Sequence, residues 1–265
     1  MSIIEIHDLT RVFGPVTAVD CLNLSIESGE TFGLLGPNGA GKTTTLKMLT
    51  TLLPPTSGRA VIAGLDVAHR AEGVRRLIGY VPQMVSADGT LTGYENLFVF
   101  ARLYDIPRKE AETRVRSALD FMNLGDSADK LVRQYSGGMI RRLEIAQSLL
   151  HRPPILFLDE PTVGLDPGAR RAVWEHIQQL REEFGTTILL TTHLMEEADM
   201  LCDRVAIMHL GKVVAIGSPD ELKAQIGGEE MTLDDVFIHF TGNELNSGGS
   251  FRETSRTRRT ARRLG

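Results

Sequence analysis

The sequence is poor in the features that mark secreted scaffolds and membrane spans. Of 265 residues only two are cysteine. Cys21 and Cys202 lie far apart, each beside apolar neighbours. That excludes a disulfide framework, and both read as buried, reduced thiols. No run of eighteen apolar residues occurs, and Met1-Ser2-Ile3-Ile4-Glu5 lacks a basic segment leading into an apolar one. Neither a spanning helix nor a secretory signal is expected, so the chain is expected in the cytoplasm. Positive charge is scarce over most of the length. The net charge is -5, yet the last fourteen residues carry six arginines against Glu253, leaving a body of -10. An acidic body argues against nucleic acid as the main partner. The remaining composition, 42% hydrophobic and 24% charged, is ordinary for a globular protein with a full core. The length exceeds that of one typical compact domain, so one core with an inserted subdomain is expected.

The most informative stretch is Gly36-Pro37-Asn38-Gly39-Ala40-Gly41-Lys42-Thr43, followed by Thr44 and a helical run. It fits the phosphate-binding loop pattern and follows the apolar run Phe32-Gly33-Leu34-Leu35, where that pattern has to sit. Glycines let backbone N–H groups turn inward around a phosphate, the next helix adds its positive N-terminal end, and Lys42 brings a full charge. Thr43 then offers its hydroxyl to magnesium. The competing reading is a plain glycine-rich turn; at a glycine frequency of about 7%, a chain this long matches the pattern by chance on the order of one time in a hundred.

Residues 3 to 7 and 12 to 27 read as strands, with Leu22, Leu24 and Ile26 alternating with polar neighbours. A short apolar strand over 31 to 35 leads into the loop. The helix after it carries Leu46, Leu49 and Leu53 on one side and is expected to stop at Pro54-Pro55. Strands are expected at 59 to 63 and 77 to 82, with Gln83 after the second. From about residue 92 the pattern turns helical. Thr92 with Glu95 spells a capping box, a second helix carries Val115, Leu119 and Met122, and a third, opened by Ser136-Gly137-Gly138, carries Ile140, Leu143 and Leu150. Three helices between strands predict an inserted helical subdomain over about 92–152.

Strands resume at Ile155-Leu156-Phe157-Leu158, which ends in Asp159-Glu160, and at Ile188 to Thr192, which ends in His193. Asp166-Pro167 caps a helix between them. Val205 to Met208 and Val213 to Ile216 read as a hairpin about Gly211-Lys212, and Ser218 and Thr232 open two further helices. Residues 243–265 are polar and Arg-rich and are expected to be disordered, so the folded domain spans 1–242. Alternating buried strands and helices imply a mainly parallel sheet whose ligands bind at the carboxyl ends of its strands. The phosphate loop, Gln83, Asp159-Glu160 and His193 all fall at such ends.

An apolar strand ending in an acid supplies the carboxylate that a magnesium–nucleotide site needs. Asp159 fits the metal, and Glu160 is placed to orient or deprotonate the attacking water. Alone, His193 reads as a structural histidine and Gln83 carries less; their shared position gives them weight.

Together these motifs resemble the nucleotide-binding subunit of ATP-binding cassette transporters, from residue 3 to about 242. Tyr135-Ser136-Gly137-Gly138-Met139 looks like the family signature, normally Leu-Ser-Gly-Gly-Gln, and is another anion site made of a hydroxyl, glycine amides and a helix N-terminus. The resemblance implies an α/β fold: a P-loop NTPase core with a mainly parallel sheet, an N-terminal antiparallel β subdomain and the inserted helical subdomain. It implies ATP and Mg2+ as ligands, and a homodimer in which Ser136, Gly137 and Gly138 of one copy close on ATP held by the other. Phe13 matches the aromatic that stacks on adenine. Gln83 matches the residue that senses magnesium and the attacking water, Val163-Gly164-Leu165-Asp166 the loop linking the two sites, and His193 the histidine that contacts the γ-phosphate. Tyr135 and Met139 depart from the signature, but the serine and both glycines that face phosphate remain. These departures, Thr162 to Pro167 and Thr232 to Phe237 look like the daunorubicin-resistance branch of drug exporters. That branch pairs a cytoplasmic ATPase, peripheral on the inner face of the membrane, with a separate integral-membrane permease. The Arg-rich tail could then lie against anionic lipid. A non-transport cassette ATPase would carry two cassettes or a long coiled coil, and a regulatory module would have lost Lys42, Glu160 or His193. Neither mark is found.

Overall fold

Two strands with alternating apolar residues open the chain. β1 (Ser2–Phe13) and β2 (Val16–Glu27) pair antiparallel, with Leu22, Leu24 and Ile26 facing the core and Asn23, Ser25 and Glu27 facing out. The strand expected over 12–27 is therefore interrupted. Gly14, at φ +54°, turns the chain together with Pro15, and Phe13 closes the hairpin opposite Val16. Cys21 is exposed, against expectation, because it sits on the outward face of β2 at an irregular step of the pairing, with φ +49°. Cys202 is buried, which pushes its thiol well above the ordinary value and keeps it protonated. Both cysteines are free.

A computed structural model of the chain describes residues 1–227 and 230–242, and the Arg-rich segment 243–265 lies outside the described residues. After β2 come β3 (Thr31–Leu35), the phosphate loop and α1 (Lys42–Leu49). Helix α1 stops short of Pro54. Thr50 turns its hydroxyl back onto the Leu46 carbonyl (2.8 Å) and Thr51 takes φ +63°, so Leu53 falls outside the helix. β4 (Ser57–Ile62) and β5 (Leu65–Asp66) return to the first sheet, and α2 (Ala71–Leu77) leads into β6 (Ile78–Val81). The helical layer follows as α3 (Gly93–Leu103), α4 (Arg108–Phe121) and α5 (Gly137–Leu149), with the capping box of Thr92 and Glu95 in place at its start. Then come β7 (Ile155–Asp159), α6 (Pro167–Phe184), β8 (Thr187–Thr192), α7 (Met195–Leu201), β9 (Arg204–His209), β10 (Lys212–Gly217), α8 (Pro219–Ile226) and α9 (Leu233–Thr241).

Two sheets result. The antiparallel one runs β2-β1-β4-β5; the other runs β10-β9-β3-β8-β7-β6, parallel except for the edge strand β10. This is the α/β architecture expected, with its antiparallel N-terminal unit and helical layer. The central strands read as unbroken apolar runs because both faces are covered. Along β7, Leu156 and Leu158 join the core shared with the helical layer, while Ile155 and Phe157 join the core under the antiparallel sheet. Each such side chain contributes about 1.5–3 kcal/mol on burial, so β3, β7 and β8 hold their carboxyl ends rigidly. Among the described residues no helix is long and apolar enough to cross a membrane.

Candidate active site

The phosphate loop leaves β3 and enters α1 through Gly41, which caps the helix at φ +104°. A Cβ on Gly41 would lie 2.5 Å from the Ala18 carbonyl oxygen, and one on Gly36 would lie 2.4 Å from that of Met208. Glycine is thus required at both positions by neighbouring backbone as well as by the turn itself. The amides of Lys42, Thr43 and Thr44 begin α1 and have no preceding helical carbonyl to bond. The buried Lys42 ammonium curls back over the loop, donating to the carbonyls of Gly36 (2.7 Å) and Pro37 (3.2 Å). Pro37, Asn38, Gly39 and Ala40 form the arch between these ends, held by the bond from the Ala40 amide to the Pro37 carbonyl (3.2 Å).

The ends of β7 and β8 supply the acids. Asp159 is buried; its Oδ1 accepts from Thr43 Oγ1 (3.0 Å) and Thr191 Oγ1 (2.6 Å), whereas its buried Oδ2 has no partner among the described residues. An unmatched buried carboxylate oxygen is costly unless a cation or donor meets it. Glu160, next in sequence, takes φ +51°, which turns its side chain away from the strand direction. Its amide donates to the carbonyl (3.1 Å) and hydroxyl (3.0 Å) of Thr191, which fixes that turn. Glu160 Oε1 lies 3.1 Å from Lys42 Nζ, and its Oε2 accepts from His193 Nδ1 at 2.6 Å. That bond places a proton on Nδ1 and leaves Nε2 available, and the ring is 39% exposed. Lys42, Thr43, Asp159, Glu160 and His193, which arrive from three separate strand ends, therefore form one contiguous cluster.

Other expected residues stay outside it. Phe13, 44% exposed at the tip of the β1–β2 hairpin, offers a ring with the Arg11 guanidinium 4.5 Å from its centre. Gln83 is exposed two residues beyond β6, and among the described residues it does not hydrogen-bond to Thr43 or Asp159. Ser136 accepts from the Met139 amide (3.3 Å) and caps α5, which packs on α3, α4, α6 and β6. Gly138 allows the approach of α6, since a Cβ there would fall 2.8 Å from that of Ala169. The two signature departures have local explanations. Tyr135 is buried and donates its hydroxyl to the Ser127 carbonyl (2.7 Å), which pins the residue ahead of Ser136. Met139, half-buried, packs against the core shared with the helical layer.

Sequence reasoning missed Thr191, Arg141 and Glu197. Glu197 lies on α7, just past His193, fully buried, and its Oε1 accepts from Thr162 Oγ1 (2.6 Å) and Trp174 Nε1 (3.0 Å). Burial raises its carboxyl above the ordinary value, against those hydrogen bonds, which lower it. The folded chain then keeps a proton that the unfolded chain has released. Stability therefore falls as pH rises from the ordinary glutamate value through the raised one. Glu197→Gln keeps an acceptor for both donors and cannot ionise. Thermal unfolding across a pH series is expected to show a shallower decline over that window, and an unchanged slope would assign the dependence to another group.

Comparison with known proteins places this geometry in a family. A family model described as ABC transporter matches residues 19–163. The daunorubicin/doxorubicin resistance ATP-binding protein of Streptomyces peucetius is 46% identical over 230 residues, covering 87% of this chain and 69% of its own length. The linearmycin resistance ATP-binding protein of Bacillus subtilis (strain 168) is 38% identical over 243 residues, covering 92% of this chain and 76% of its own. Among solved structures, an ATP-binding subunit of an ABC transporter matches with a TM-score of 0.79 and 30% identity, over 90% of this chain and 99% of that one. A dimeric cassette in a post-hydrolysis state, bound to ADP and Pi, matches at 0.72 and 28%, over 81% and 98%. The chain belongs to the ABC transporter family, as an ATP-binding and ATP-hydrolysing cassette.

Proposed function

We propose that this chain is the motor subunit of an exporter, working as a homodimer on the cytoplasmic face of a membrane and docked on a separate permease. The transported compound is a drug, an antibiotic or a lipid-like molecule. The relatives named for daunorubicin, doxorubicin and linearmycin resistance support that substrate class. The observation that carries the proposal is the division of the site. Lys42, Thr43, Asp159, Glu160 and His193 converge, whereas Ser136, Gly137 and Gly138 head a helix packed elsewhere in the same chain. A signature whose hydrogen bonds and packing partners do not include its own phosphate loop fits one that serves a second copy, and the solved dimeric relative supports this arrangement.

In this reading Phe13 stacks on adenine, and the amides of Gly39, Gly41, Lys42, Thr43 and Thr44 with the Lys42 ammonium hold the phosphates. The unpartnered Asp159 Oδ2 beside the Thr43 hydroxyl fits magnesium. Magnesium commonly takes one or two protein oxygens and completes its shell with phosphates and water. When bound, the ion offsets phosphate charge. Gln83, two residues beyond β6, would be a further ligand for the ion and for the attacking water. Glu160 accepts the proton of the attacking water, and His193, oriented by Glu160, meets the γ-phosphate. Ser136, Gly137 and Gly138 of the second copy complete the anion site. Catalysis is then mostly positioning and charge stabilisation.

Composite sites make a specific prediction. Lys42→Ala and Ser136→Arg chains should each be inactive alone, while a mixed dimer keeps one site with an intact loop and an intact signature. An equimolar mixture is expected to recover about a quarter of parental ATPase activity, because half the dimers are mixed and each holds one good site. A mixture no more active than its components would sink the two-chain site.

A further inference from the structure

The helix that presents Ser136 is tied to the catalytic strand ends through one buried arginine. Arg141, on the second turn of α5, directs every guanidinium nitrogen at a protein oxygen. Its Nε donates to the Pro161 carbonyl at 2.8 Å. Nη1 donates to the Pro82 carbonyl (2.7 Å) and Glu144 Oε2 (3.1 Å), and Nη2 to the carbonyls of Asp159 (2.8 Å) and Glu160 (3.2 Å). Glu144, one turn further along and also buried, accepts from the Ser86 amide (2.5 Å) and hydroxyl (3.0 Å) through Oε1. The pair thus grips three segments: the β7 end that carries Asp159 and Glu160, the loop after β6 that carries Gln83, and the helix headed by Ser136.

We propose that Arg141 and Glu144 are positioning residues that lock Glu160 and the Gln83 loop to the helix of the signature. Motion of that helix then moves the catalytic glutamate with it. This rests on the reading of Glu160 as the catalytic base. A planar fork is what the arrangement needs. One lysine ammonium has three donors on a flexible stem and cannot span carbonyls on both β6 and β7. A buried ion pair is weak evidence for stability, since apolar residues often replace one without loss. What this pair supplies is fixed geometry at Asp159, Glu160 and Pro82. Neither side chain touches the phosphate loop, so nucleotide affinity should be independent of them.

The test uses the full-length chain with three single variants, Arg141→Lys, Glu144→Gln and Glu160→Gln, measured for kcat, KM for ATP, ATP affinity by calorimetry, and Tm. A misplaced catalytic group lowers turnover without weakening binding. Arg141→Lys is expected to lose on the order of ten- to a hundredfold in kcat with KM and Kd for ATP held within about twofold. Glu144→Gln keeps an acceptor for Ser86, loses the ionic bond to Arg141, and should show the same split with a smaller fall. If Arg141→Lys fails to fold, Glu144→Gln carries the decision. A folded Arg141→Lys chain with parental kcat overturns the proposal, as does a parallel loss of kcat and ATP affinity. If Glu160→Gln hydrolyses ATP at the parental rate, the catalytic reading falls and takes this inference with it. If Glu160→Gln is inactive while both other variants match the parent, only the positioning role falls.

Discussion

Glu160→Gln is expected to remove nearly all ATP turnover while leaving ATP binding intact or tighter. The carboxylate lies between two groups that would otherwise compete for it. Lys42 Nζ is 3.1 Å from one oxygen and His193 Nδ1 is 2.6 Å from the other. An amide of the same shape cannot accept a proton from water, and general-base contributions run to roughly 10²–10⁴-fold in rate. The amide also withdraws the negative charge that holds the lysine toward Glu160, so the ammonium is freer to meet phosphate. Bound, unhydrolysed ATP should then keep two copies together. Phosphate release would be measured beside ATP affinity, and size-exclusion chromatography with and without ATP would report the dimer. Turnover at the parental rate would remove Glu160 from the mechanism. Loss of ATP binding together with turnover would mean that Glu160 only shapes the phosphate loop through Lys42.

Much of this arrangement is legible in the sequence because it is written locally. A strand buried on both faces is mostly apolar, which is why the runs in β3, β7 and β8 stand out and why polar residues at their carboxyl ends draw notice. Helix caps are also short-range. Thr92, Asp166, Ser218 and Thr232 each accept from an amide three residues on, as their spelling requires. Features that depend on distant partners were hidden. Alternation through residues 12 to 27 masks the turn at Gly14-Pro15, because Val12 and Val16 share the even positions of Leu22, Leu24 and Ile26. Helices α2 and α7 have seven residues each, too few to show a full stripe. Arg141 lies in a helix whose pattern is apolar, and its role appears only when Pro82, Asp159, Glu160 and Pro161 are brought together from elsewhere. Thr191 reads as one more strand residue, yet its hydroxyl donates to Asp159 and accepts from the Glu160 amide. A single sequence carries no trace of such a cross-strand contact.

Lys42→Ala should weaken ATP binding by roughly ten- to a hundredfold, the range expected for losing one hydrogen bond to a charged group, about 1.5–3 kcal/mol. The same substitution has a second consequence that must be separated from the first. Lys42 and Glu160 are a buried ion pair, and removing one member leaves the other's charge uncompensated, typically a loss of about 3–5 kcal/mol. Lower affinity in Lys42→Ala could then come from a damaged fold. The double variant Lys42→Ala/Glu160→Gln resolves this, because it removes both charges at once. Its Tm is expected to recover most of the loss seen in Lys42→Ala, while its ATP affinity stays low. Calorimetric titration and thermal unfolding on the parent, both single variants and the double form the complete cycle. Unchanged affinity in Lys42→Ala would refute the phosphate contact. If affinity recovered together with Tm in the double variant, Lys42 would serve chiefly to neutralise Glu160, and the phosphates would rest on the loop amides alone.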